Sequence, residues 1–220
     1  MSVKPTTETT CPLYSRQMDH QTLNYYSVNA SAIADRYESV VSNLSQHFET
    51  SFIRQSRVLD VGCGSGRDLS ALSKLGYDCY GVDATEEFVA LAQKLHPELI
   101  GRISCNSLPN LGLPFGGGFD AVLCSAVLMH VSVEDLVASA LSIKQCLTKH
   151  GRVLYSVPSK RLDVVADDRD AHGRLFIPDQ SDRLQSIFTN LGFQVIEKWG
   201  NSDSMGRDSV EWESVLIELA

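Results

Sequence analysis

Two rhythms of apolar residues alternate along this chain, one with the period of a helix and one with the short run or alternation of a strand. From Asn29, the positions Ala30, Ile33, Tyr37, Val40, Val41, Leu44 and Phe48 recur at helical spacing and predict one amphipathic helix over about 29–50. A buried strand follows at 57–61, and Asp68, Leu69, Ala71, Leu72 and Leu75 then keep helical spacing until Gly76. A second strand is read at 78–83. Thr85, with Glu86 and Glu87 in the first turn, opens a helix to about Leu95. Strands are predicted at 100–105 and 119–124, the latter led in by Gly116 to Gly118. Ser132 and the pair Glu134 and Asp135 cap a helix whose apolar stripe is Leu136, Val137, Ala140, Leu141, Ile143 and Leu147; Lys149 to Gly151 end it, and 152–157 is a fifth strand. Asp179 or Ser181 starts a last helix that stops at Gly192, and 193–199 and 210–219 alternate as strands.

Strand and helix in alternation predict one α/β domain, and 220 residues with 43% apolar content suffice for one substantial core. Residues 1–18, polar and carrying Pro5 and Pro12, read as a flexible tail before a domain over 19–220. A stretch at about 158–178 breaks the rhythm with Asp163, Asp167, Asp168 and Asp170 beside Lys160, Arg161, Arg169 and Arg174, as a functional insertion or a solvated charged loop would. Net charge of −8 without any Lys/Arg run argues against nucleic acid as a partner. The threonine-rich start lacks the apolar core of a signal peptide and no stretch is long enough to span a membrane, so a cytoplasmic protein is expected. Six cysteines, at 11, 63, 79, 105, 124 and 146, are scattered through apolar patterns and read as reduced core residues; no metal-ligand spacing is present.

The chemistry concentrates after the first strand. Gly62, Gly64 and Gly66 allow a sharp turn and a close approach of backbone to ligand, and Asp83 ends the second strand where a ribose-binding carboxylate sits in nucleotide folds. A dinucleotide site places its third glycine three residues after the second; here the glycines alternate, and Asp60 stands two residues before the first. A carboxylate there opposes a pyrophosphate and suits a cation. S-adenosylmethionine offers an ammonium, a sulfonium and a ribose diol, and no phosphate.

The run Val58-Leu59-Asp60-Val61-Gly62-Cys63-Gly64-Ser65-Gly66-Arg67-Asp68 closely resembles the first motif of the class I S-adenosylmethionine-dependent methyltransferases, and Asp83 the acidic end of their second strand. The resemblance implies a Rossmann-like three-layer sandwich with a seven-stranded, mostly parallel sheet ending in an antiparallel hairpin. It implies S-adenosylmethionine held by Asp60, Gly62, Cys63, Gly64, Arg67, Asp83, Ala84, Asn106, Ser107, Ser125 and Tyr26. Asn106 stands where relatives commonly carry an acidic residue for the adenine amino group, and Arg67 either meets the cofactor carboxylate or pairs with Asp68. Tyr26 and Tyr37 are lid candidates, or pack the N-terminal helix onto the domain. His130, beyond the carboxyl end of the fourth strand, is the candidate general base if the acceptor carries a proton, or part of the pocket wall. Arg161, His172, Arg174 and Phe176 are candidates for acceptor contact, with Arg207 and Trp212 bordering. Within the family the chain is most similar to small enzymes related to tellurite-resistance methyltransferases, which points to a small-molecule acceptor and a monomer or homodimer. A nicotinamide-dependent oxidoreductase and a non-catalytic nucleoside-binding subunit are the alternatives.

Overall fold

The computed structural model describes residues 18–220, so the expected tail lies outside it apart from Met18. Seven strands form one sheet: β1 (Arg57–Val61), β2 (Asp78–Asp83), β3 (Ile103–Cys105), β4 (Phe119–Ser125), β5 (Leu147–Arg161), β8 (Phe193–Ser202) and β9 (Val210–Leu219); β6 (Val164–Ala166) and β7 (Arg169–Asp170) make a separate small hairpin. The order across the sheet is β3-β2-β1-β4-β5-β9-β8. The first five run parallel, and β9 is antiparallel to both β5 and β8. Chain direction therefore fans outward from β1, with β2 on one side and β4 on the other. Such a switch point opens a crevice at the carboxyl ends of the strands.

Both faces of the sheet are buried over its central strands, and the period of two sorts their side chains between the faces. Leu59, Val122, Cys124, Val153, Tyr155, Val215 and Ile217 pack with helices α6 (Leu136–Cys146) and α7 (Gln180–Asn190). Val58, Ala121, Leu123, Leu154 and Leu216 face the other way, against Leu69 and Leu72 of α4 (Arg67–Lys74), Ala92 of α5 (Glu86–Leu95) and Phe48 of the short α3 (Phe48–Ser51). The three-layer sandwich and its terminal antiparallel pair are as the sequence implies. Cys63, Cys79, Cys124 and Cys146 are free and buried, and Cys105 is free and exposed. Among the described residues no helix is long and apolar enough to cross a membrane.

The structure corrects the sequence reading at several places. The helix expected over about 29–50 is α2 (Ala30–Glu38), preceded by an unforeseen α1 (His20–Val28) and followed by a non-helical crossing. The Tyr37 and Val40 carbonyls turn to Nη1 of Arg67, at 3.1 and 3.3 Å, instead of continuing an intrahelical ladder, and Val41 is left exposed. β3 is shorter than 100–105. α6 ends at Cys146 and β5 begins at once, reaching Arg161. The stretch 158–178 holds the β6–β7 hairpin, closed by Asp170, whose carboxylate accepts from the backbone N–H groups of His172 and Arg174 at 3.0 Å each.

Candidate functional site

The turn after β1 is pinned to β2: the N–H groups of Gly62 and Cys63 both donate to the Val82 carbonyl, at 2.7 and 3.0 Å. Gly62 has φ +73°, and a Cβ there would collide with the Val127 side chain, so no other residue fits without movement. Gly64, at φ +53°, turns its N–H to Oδ2 of Asp83 at 2.9 Å, while Asp83 Oδ1 accepts from the Thr85 N–H and hydroxyl at 3.0 and 2.9 Å. Asp83 thus ties the turn to the start of α5. Burial raises its pKa, and the bonds from Thr85 and Gly64 hold part of that rise back.

Asp60 is 2% exposed, and its Oδ1 has no hydrogen-bond partner. Burial, reinforced by the neighbouring charges of Asp68 and Asp83, raises its pKa well above the ordinary carboxylate value. A buried oxygen left open beside two more carboxylates is a costly arrangement in a free protein. It becomes a favourable one when a cation is brought to it.

A cavity of about 630 Å³ runs from this turn outward. Its wall brings together Asp60, Gly62, Cys63, Gly64, Arg67, Asp83, Ala84, Ser125, Tyr26 and His130 from distant parts of the chain. Asn106 and Ser107 are not in the wall. Asn106 Oδ1 accepts from the Ser104 hydroxyl at 2.7 Å and its Nδ2 donates to the Leu111 carbonyl, while the Ser107 hydroxyl bonds Leu108; both build the chain crossing after β3. Thr85 and Phe88, which the sequence reading did not single out for the site, line the wall instead. Arg67 commits its Nε to Asp68 at 2.9 Å and its Nη1 to the Tyr37 and Val40 carbonyls, so the pairing with Asp68 is the one found.

His130 is 2% exposed. Its Nδ1 lies 2.6 Å from the Leu175 carbonyl and must carry the proton, which leaves Nε2 to accept from the Tyr26 hydroxyl at 3.0 Å. Burial lowers its pKa to about 4, so the imidazole is neutral at pH 7. Tyr26 also accepts from Arg174 Nη1 at 3.3 Å. Its helix α1 is fastened above the cavity by the Asp19–Arg169 ion pair, at 2.7 and 2.9 Å, and by the Thr22 hydroxyl, which takes the Leu175 N–H at 2.9 Å. α1 and the β6–β7 hairpin therefore roof the cavity together. Arg161, His172, Arg174, Arg207 and Trp212 are in its wall, whereas Phe176 is packed behind, against His130 and under the Arg161 guanidinium.

Residues 59–155 match the family model described as a methyltransferase domain. The chain is 30% identical over 155 residues to the uncharacterized methyltransferase YcgJ of Bacillus subtilis, across 66% of this chain and 60% of that one. Over this stretch the chain is similar to methyltransferases. The chain spans no more than about 60% of the length of such curated relatives. Solved structures share the fold at low identity. The [4+2]-cyclase SpnF superposes with a TM-score of 0.71 at 14% identity, covering 92% of this chain and 97% of that one. A TehB-like S-adenosylmethionine-dependent methyltransferase from Corynebacterium glutamicum gives 0.65 at 17% identity, covering 88% and 99%. The methyltransferase match begins inside β1 and ends inside β5. It contains the glycine turn, Asp83 and His130, and leaves out α1, α2, the β6–β7 hairpin and the β8–β9 connection. The roof and outer wall are thus built from segments on either side of the family match.

Proposed function

We propose that this protein transfers the methyl group of S-adenosylmethionine to a small molecule. One observation carries the reading: the unpartnered, buried Asp60 carboxyl beside Asp68 and Asp83 at a glycine turn, a setting that attracts a cationic nucleoside and repels a pyrophosphate. Asp83 is suited to accept from ribose hydroxyls with the lone pairs that Gly64 and Thr85 leave free. Gly62, Cys63 and Gly64 supply backbone against the ligand; Ala84, Thr85, Phe88 and Ser125 complete the wall around it. When bound, the cofactor supplies a methyl group already activated by the sulfonium, so the chain has chiefly to position the acceptor and exclude water.

Tyr26 and His130 position the acceptor: the Tyr26 hydroxyl donates to Nε2 of the neutral His130, so the tyrosine oxygen is the atom presented to the acceptor. A cavity of about 630 Å³, roofed by α1 and the β6–β7 hairpin, suits a small-molecule acceptor, and a chain of net charge −8 offers little to nucleic acid.

Calorimetry with S-adenosylmethionine, S-adenosylhomocysteine and a nicotinamide dinucleotide is the test. Heat with the first two and none with the third is the expected result. The reverse pattern would return the chain to the oxidoreductases, and nucleoside binding without transfer of label from methyl-labelled donor to any small molecule of a cell extract would make it a binding subunit.

A further inference from the structure

The outer half of the cavity, opposite the glycine turn, is built from three segments that share no sequence neighbourhood. β5 contributes Arg161 at its end, the β6–β7 hairpin contributes Asp170 and Arg174, and the β8–β9 connection contributes Asp203 and Arg207; all line the wall together with Asp163. Each arginine is held by an aspartate through Nε and one Nη: Arg161 on Asp163 at 2.7 and 2.9 Å, Arg174 on Asp170 at 2.9 and 2.5 Å, Arg207 on Asp203 at 2.9 and 2.7 Å. The aspartates are themselves fixed. Asp203 accepts from the Trp212 indole N–H at 2.9 Å, and Asp170 reaches Arg161 Nη2 at 3.6 Å.

What distinguishes the three arginines is the remaining Nη. That of Arg174 is used by Tyr26. Nη1 of Arg161 and Nη1 of Arg207 have no hydrogen-bond partner among the described residues, although the Arg161 side chain is only 7% exposed. Arg161 is also clamped over the Phe176 ring at 3.4 Å. A guanidinium so enclosed retains donors that no group among the described residues takes, on the wall of a cavity. Three arginines therefore meet three aspartates in this half, while Asp60, Asp68 and Asp83 gather at the turn.

We propose that the methyl acceptor carries an oxyanion, a carboxylate or a phosphate, seated on the free Nη1 groups of Arg161 and Arg207, with its nucleophilic atom elsewhere in the molecule. Pre-oriented guanidinium donors fit the oxygens of either group, and their orientation by aspartates reduces what binding must spend on ordering them. The inference rests on the methyl-transfer reading for the word acceptor; the anion seat itself does not.

Two measurements on the full chain separate them. Calorimetry with S-adenosylhomocysteine tests the turn end, and absence of heat there defeats the methyl-transfer reading alone. Titration with inorganic phosphate and with acetate, followed by Trp212 fluorescence in a Trp199→Phe background, tests the seat. Trp212 stands on Asp203 beside Arg207, whereas Trp199 is stacked on His47 away from the cavity wall. Saturable change is expected with at least one anion, the tighter of the two naming the oxyanion. Arg207→Gln should weaken it at least tenfold with S-adenosylhomocysteine affinity unaltered, and Arg207→Lys, which keeps the charge but loses the oriented fork, should weaken it by less than Arg207→Gln. No saturation with either anion, equal binding in Arg207→Gln, or equal loss in the Lys and Gln variants would overturn the proposal. So would a labelled methyl product from cell extract that passes unretained through an anion exchanger.

Discussion

Asp60 shows how one side chain sets opposite demands on the free and the liganded protein. Its raised pKa means that the fold disfavours its ionised form, so its contribution to stability is full below the unfolded value near 4 and is lost as pH rises through the folded value. A bound cation reverses the demand, because it favours the ionised form. Affinity for S-adenosylhomocysteine should therefore increase with pH, with proton release visible as a dependence of the calorimetric heat on buffer ionisation enthalpy. Asp60→Asn should abolish that dependence, weaken binding at least tenfold, about 1.4 kcal/mol, and leave the ligand-free chain no less stable. His130 works in the other direction. Its folded pKa of about 4 lies below the unfolded value of 6.5, so the unfolded chain takes up a proton that the folded chain refuses. Stability should fall between pH 6.5 and 4 by up to about 3 kcal/mol, and denaturation of His130→Gln should lack that component. Neither demand was legible in the sequence. Asp60 was recognised there by its place before the glycines, but its lack of a partner depends on what β2 and α4 leave unfilled, and His130 stayed open between base and pocket wall because Tyr26 is 104 residues away.

Among elements, those made by local pattern were read well and those made by distant partners were not. The strand-turn-helix unit of β1 and α4 is local, since alternating glycines, an apolar run and a helical stripe lie within twenty residues. Gly62→Ala should cost about 1–3 kcal/mol from strain at positive φ and from overlap with Val127, measurable by denaturant unfolding; pairing it with Val127→Ala should recover part of the loss but not all, since the backbone strain remains. The break after α2 is not local. Seven apolar residues kept helical spacing through Phe48, yet Arg67, approaching from α4, captures the carbonyls that would have continued the ladder. Asn106 and Ser107 lie outside the wall for a similar reason: Ser104 and Leu111 hold the Asn106 amide in the crossing chain after β3. α1 carried no apolar stripe to reveal it, because it is held by the ion pair to Arg169 of the hairpin and by Tyr25 and Tyr26 packed on Ile33 and Phe88. Asp19→Asn should loosen it, raising the rate of proteolysis near residues 20–28 without lowering the global melting temperature by more than about 2 °C.

At the scale of the whole molecule, the sheet is a platform with its crevice at one edge, and the crevice is furnished unequally. The family match supplies the turn end, and the flanking segments supply the roof and the arginine face. Ligand binding should be felt throughout: at a hundred times Kd, S-adenosylhomocysteine should add about 2.7 kcal/mol to stability and raise the melting temperature by roughly 5–10 °C in a thermal-shift assay. Sequence pattern conveyed the alternation of strands and helices because each follows from runs of apolar residues, whereas the layers, the strand directions and the terminal pair were implied by the family resemblance. It could not convey that α1 and the β6–β7 hairpin, 150 residues apart at Asp19 and Arg169, would close over the same space.

That clasp between a carboxylate and a guanidinium near the surface makes salt a throttle. At low ionic strength the cover should stay shut and product escape should be slow; as electrolyte screens the pair, traffic should quicken until water begins to intrude on the reacting methyl. Turnover plotted against salt concentration should thus pass through a maximum, and a chain with Asn at position 19 should start from the far side of it.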